Sequence, residues 1–149
     1  MSAEVVLLDD RLLIEELLAG IPRGRRRPSL FTTSYWYYRA CRAAVAGAGG
    51  YLSGPFEQLA VAEQQRAILS LLELREDIGL PDSRTTVPAM ADISRRHAQL
   101  NLLNLEAVAV AQVLQATVWL SAPAANGVLP AVLDAEGLRW QVVSLENDG

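Results

Sequence analysis

The sequence predicts an α/β fold, a three-layer α/β/α sandwich around a mainly parallel central sheet. Three observations carry this: short β-prone runs alternate with helical periodicity, the first run is apolar at consecutive positions, and no internal repeat interrupts the alternation. With 149 residues, 51% hydrophobic and 20% charged, the chain has the size and composition of one compact domain over residues 1–149.

Residues 4–8, EVVLL, fit a strand covered on both faces and stop at Asp9-Asp10. RLLIEELLAG follows, with Leu13/Leu17 and Ile14/Leu18 at helical spacing and Gly20 as its stop. IPRGRRRP, residues 21–28, is punctuated by two prolines and a glycine and forms an exposed basic loop. SLFTT, residues 29–33, is a second strand, and Ser34 is the expected N-cap of a helix through YWYYRACRAAVA.

GAGGYLSGP is a flexible connection, and FEQLAVAEQQRAILSLLELRE is expected as one long amphipathic helix beginning at Pro55. After a break over 79–86, Pro88 suits the first turn of a helix running to His97. LLNLEAVAVAQVLQ is an almost wholly apolar helix and TVWLS a strand. Residues 122–126 are expected as a loop, VLPAVLDAEG as a short helix and LRWQVVSL as the last strand.

Composition narrows the chemistry. One cysteine, Cys41, excludes an internal disulfide and any cysteine-based zinc cage, and one histidine, His97, excludes a His-rich metal site. A carboxylate site for a hard cation remains. All 13 basic residues are arginine and the net charge is −4, so bulk charge does not advertise nucleic acid. The N-terminus lacks the basic start of a signal peptide and no window is long and apolar enough for a membrane span, so the expected location is the cytoplasm.

In a parallel sheet the functional crevice lies at the carboxyl ends of the strands. The residues expected there are Asp9, Thr32, Thr33, Ser121 through Asn126, and Asn104 at the entry to the apolar helix. On local sequence alone, Asp9-Asp10 is an N-cap with first-turn dipole compensation.

Three stretches, VVLLDDRLLIEELLAG, RRHAQLNLLNLEAVAVAQVLQATVWLSA and AVLDAEGLRWQVV, resemble in order the elements of the PIN domain. This is a single-domain α/β nuclease family that includes the toxins of many bacterial toxin/antitoxin pairs. The resemblance implies metal-assisted hydrolysis of RNA, with three or four carboxylates around Mg2+ or Mn2+, because hard cations take oxygen ligands and activate water. Carried over position by position, Asp9 matches the first acid. The glutamate of the second helix falls at Arg39, the aspartate opening the central helix at Asn104, and the last acid near Pro123 and Asn126. One carboxylate of four survives, so Asp9 is the metal ligand if any metal binds; a register shift would bring in Asp10 or Glu106.

Arg39 is therefore expected to face Asp9 in place of a cation, with Arg42 one turn on as the substitute. Such a pair would hold Asp9 below its ordinary value of about 3.9. The function implied is a non-catalytic or regulatory module that binds RNA or a protein such as an antitoxin. The alternatives are a metal-dependent ribonuclease with a rearranged site and a purely structural partner protein. Homo-oligomerisation is expected.

Other features have plainer readings. Arg23, Arg25, Arg26 and Arg27 form the best nucleic-acid feature, a loop suited to phosphates, against the ordinary reading of a solvated loop. Tyr35, Trp36, Tyr37 and Tyr38 are consecutive on a helix, so half are expected in the core and half at the edge of the cleft or an oligomer interface, with a base-stacking platform as the alternative. His97 suits a cation at a helix C-terminus and Cys41 an ordinary buried thiol. Gly49, Gly50 and Gly54 lack the lysine that a phosphate cradle requires.

Overall fold

The computed structural model describes residues 4–24, 26–46 and 52–145. Arg25 of the basic loop and residues 47–51 of the glycine-rich connection, with Gly49 and Gly50, lie outside them. The chain builds β1 (Val5–Leu8), α1 (Asp10–Leu18), β2 (Ser29–Phe31), α2 (Ser34–Ala46), α3 (Gly54–Glu57), α4 (Val61–Leu72) and β3 (Ile78–Gly79). It continues through α5 (Ser83–Arg96), α6 (Leu102–Leu114), β4 (Thr117–Leu120), α7 (Ala122–Ala125), α8 (Leu129–Ala135) and β5 (Trp140–Val142).

The five strands form one sheet in the order β3-β2-β1-β4-β5, and every pairing is parallel, so the expected mainly parallel sheet is wholly parallel. Leu7 stands beside Phe31 on one side and Val118 on the other. Successive residues of a strand point to opposite faces, and here both faces are covered. Val6, Leu8 and Trp119 join a core with α1, α2 and α4. Leu7, Val118 and Leu120 join another with α6 and α8. Each such side chain, fully buried, contributes roughly 1.5–3 kcal/mol. The apolar helix α6 is buried along Leu105–Ala111 because the sheet lies on one side and α5 packs on the other.

Several expected boundaries move, each for a local reason. Thr33, not Ser34, caps α2: its Oγ1 accepts from Trp36 N at 3.0 Å and its carbonyl from Tyr37 N at 2.9 Å. The long helix from Pro55 is two helices, because Leu59 N turns back to Phe56 O and Ala60 is extended, with Gln64 Nε2 donating to Leu59 O. Helix α5 starts earlier than Pro88. Asp82 caps it through Arg84 N at 2.9 Å, leaving Pro88 inside. Pro88 and Arg84 are exposed, so the carbonyl that loses its partner lies where water reaches it. Residues 122–125 form a helical turn instead of a loop.

Strand β3 has no counterpart in the sequence reading, because two residues cannot display a period. It extends the sheet since Thr32 N donates to Gly79 O at 3.1 Å and the Phe31 ring lies over Gly79, where any side chain would stand. No helix among the described residues is long and apolar enough to cross a membrane.

The Phe31–Gly79 contact yields a testable coupling. Gly79→Ala should destabilise by about 1–3 kcal/mol through overpacking against the ring. In a Phe31→Leu background the same substitution should lose much of that effect, as read by urea unfolding of the four chains. Equal effects in both backgrounds would show that the ring does not set the glycine requirement.

Candidate functional site

The strand-end crevice is organised by two adjacent acids. Asp9 follows β1 directly and is fully buried. As N-cap of α1 its Oδ1 accepts from Leu12 N at 2.9 Å, and its Oδ2 accepts from Ser121 N at 2.8 Å and Ser121 Oγ at 2.6 Å. One carboxylate thus ties the end of β1, the start of α1 and the end of β4 together. Burial pushes the Asp9 carboxyl up from its ordinary value, and the Ser121 and Leu12 bonds only partly oppose this.

Asp10 is the first residue of α1, so its side chain leaves the cap and turns toward α2. Only 2% of it is exposed. Oδ1 accepts from Arg11 N at 2.8 Å, whereas Oδ2 makes no hydrogen bond and lies 3.4 Å from Arg39 Nε. Burial first, and the neighbouring Asp9 charge second, push the Asp10 carboxyl up to about 6, against the pull of Arg39. The expected Arg39–Asp9 pair is therefore corrected: Arg39 faces Asp10, and Asp9 is raised instead of lowered. A capping carboxylate folds back on its own helix, so the next residue is the one that meets a neighbouring element. Arg42, the substitute, is exposed.

Glu106, one of the two acids that a register shift would bring in, enters this region. It is buried, and its Oε1 accepts from Tyr35 N at 2.8 Å, which places a carboxylate on the N-terminus of α2. Its signal in the sequence was a lone acid inside an apolar helix. Helix α2 thus presents positive charge twice, through its N-terminus to Glu106 and through Arg39 to Asp10.

The remaining expected residues are less central. Asn104 is half-buried in the first turn of α6, where its N–H donates to the Asn101 cap at 2.9 Å. Asn126 is exposed at the C-terminus of α7, and Ser121 is the residue of that segment that reaches Asp9. Thr32 Oγ1 donates to Leu8 O at 3.0 Å and joins β2 to β1 beneath the crevice. Among the described residues, no three His, Cys, Asp or Glu side chains converge as a metal-binding group.

The basic loop lies at the other end of the sheet. It leads into the amino end of β2, beside Glu4 at the amino end of β1, where Ser29 N donates to Glu4 O. Arg26 pairs with Glu4 and stacks over the Trp119 ring at 5.1 Å; Arg23 reaches the buried Glu16 at 3.0 Å. Arg27 is exposed and bonds the Arg26 carbonyl. Arg23 and Arg26 are thus paired with acids of the chain itself, Glu16 and Glu4, while Arg26 and Arg27 stay exposed.

Of the aromatic run, Trp36 is buried in the core, Tyr37 Oη donates to Leu71 O at 2.7 Å, and Tyr38 is 61% exposed. Cys41 is half-buried, with its thiol pushed up by burial. His97 caps the end of α5 with Nε2 3.7 Å from Glu136.

Two measurements follow. Ser121→Ala removes the hydroxyl from a buried carboxylate and should destabilise by about 1–3 kcal/mol in urea unfolding. Because Asp10 binds its proton more tightly folded, at about 6, than unfolded, at 3.8, folded molecules take up that proton first as pH falls. Stability from this group therefore rises as pH drops from 7 through 6 toward 4. The stability difference between the natural chain and Asp10→Asn should change in that direction across that window, and a pH-independent difference would contradict it.

No protein-family model matches the chain, and no curated protein sequence does. Among solved structures it is similar to VapBC-1 from nontypeable Haemophilus influenzae, at 14% sequence identity and a TM-score of 0.51, over 93% of this chain and 97% of that one. The likeness is one of fold, an α/β/α sandwich around a parallel five-stranded sheet.

Proposed function

We propose that this PIN-like chain is a non-catalytic binding module whose partner is a protein of the antitoxin kind. The observation that carries the reading is that each acid at the strand ends already faces a donor or cation of the protein. Asp9 accepts three hydrogen bonds, Asp10 faces Arg39, and Glu106 holds the N-terminus of α2.

The divalent cation that the fold family implies does not fit this donor set. A hard cation needs free carboxylate oxygens, and at about 4 Å a unit positive charge opposes it by several kcal/mol at intermediate dielectric. We derive no step through it.

A protein partner is favoured over RNA by the distribution of charge and aromatics. In the basic loop Arg23 pairs with the buried Glu16 and Arg26 with Glu4 at the surface. The exposed side of α2 instead carries Tyr35, Tyr38, Arg42 and Val45, a mixture typical of protein interfaces. In keeping with the resemblance, the module is taken to work in the cytoplasm.

The pure protein should not cleave single-stranded RNA with Mn2+, and fluorescence anisotropy should show RNA affinity no greater than that of an unrelated acidic protein. Robust cleavage abolished by Asp9→Ala would establish the ribonuclease reading instead. Tight, salt-dependent binding without cleavage would make RNA the partner.

A further inference from the structure

We propose that Arg39 is a tethered cation, and that the side chain at position 39 decides whether Asp10 faces a guanidinium or a divalent metal ion. The inference rests on the non-catalytic reading above and says what enforces it. Its anchor is a buried oxygen without a hydrogen bond: Asp10 Oδ2 is directed at position 39 of α2, where it meets the Arg39 guanidinium in an ion pair alone.

A guanidinium that filled this place as a fitted partner would donate hydrogen bonds to the carboxylate in a planar fork. Arg39 does not: Nε stands 3.4 Å from Oδ2 and the contact is an ion pair without a hydrogen bond. It neutralises Asp10 without satisfying it. The Arg39 side chain is 39% exposed, so replacing it opens no hole in the core.

A second acid lies next in the chain, and its charge acts on Asp10. Asp9 lies behind Asp10, and its Oδ1 accepts one bond, from Leu12, where a carboxylate oxygen can accept two. Ions such as Mg2+ and Mn2+ keep several waters and need only one or two protein carboxylates, so Asp10 with one more acid meets the requirement. A glutamate at position 39 would bring that acid to the side of Asp10 from which the guanidinium now comes.

The experiment is Mn2+ titration followed by electron paramagnetic resonance of the free ion, with Mn2+-dependent thermal shift as second readout. The chains are the natural protein, Arg39→Glu, Arg39→Gln, Arg39→Glu with Asp10→Asn, and Arg66→Glu, at an exposed position of α4, as a control for added surface charge. Arg39→Glu should bind one ion at least about tenfold more tightly than the natural chain and gain thermal stability with Mn2+. Adding Asp10→Asn should remove the gain, and Arg66→Glu should behave as the natural chain.

If Arg39→Glu does not fold by circular dichroism, Arg39→Gln supplies the test, with a smaller gain in the same direction. A folded position-39 variant without gain, or a gain that survives Asp10→Asn, overturns the inference and leaves the functional reading standing. Stoichiometric Mn2+ binding by the natural chain overturns both.

Discussion

Two acids side by side, both out of water at the end of one strand, set the terms for the rest of this molecule. Taking a carboxylate out of water costs several kcal/mol unless the protein returns hydrogen bonds or opposite charge. Asp9 receives hydrogen bonds, two of them from backbone N–H groups, and so fixes β4 and α1 to β1. Asp10 receives charge, which fixes where α2 must lie. Glu106 adds a second demand on the same helix, and its answer is the α2 N-terminus. These contacts add to the apolar side chains of α2, Trp36, Ala40, Ala43 and Ala44, that pack it into the two cores.

The opposite end of the sheet shows the same economy with the signs reversed. Four arginines in a row of five residues look like a surface built for phosphates, yet those described are engaged with the chain itself. Arg23 meets Glu16, which is almost wholly buried, and Arg75 approaches the same carboxylate at 3.9 Å. Arg26 lies across an indole that belongs to the core and pairs with an acid at the start of β1. An arginine stem buries apolar surface while its head finds a charge, so a basic loop can close a fold instead of opening it to a ligand.

The sequence displayed the layers well and the site unevenly. Runs such as EVVLL and TVWLS are apolar on both faces because the sheet is covered on both sides, and that reading needs no partner information. What stayed hidden depended on contacts between distant segments. Strand β3 exists through Phe31 and Gly79, two residues that say nothing by themselves. Pro88 looked like a helix start because the stronger cap, Asp82, carries no period. At the site, Asp9 and Ser121 were legible from their place at strand ends. The choice between Asp9 and Asp10 as the partner of Arg39 depended on a side-chain direction that composition does not encode, and the role of Glu106 stayed hidden because its partner is a backbone N–H on another helix.

The hydrogen bonds that close the crevice span the chain. Ser121 lies 112 residues from Asp9, and Glu106 lies 71 from Tyr35. Bringing such remote segments together carries a loop-closure entropy that is met before the contact is made, which slows folding in proteins with many distant pairings. During synthesis, β1 and its two acids leave the ribosome long before β4 exists to receive them. Asp9 therefore lacks its Ser121 partner until the last third of the chain arrives, whereas Asp10 can meet Arg39 earlier. Folding of the crevice is then a late event, coupled to completion of the sheet, and fragments ending before Ser121 lack the contact that makes burial of Asp9 favourable.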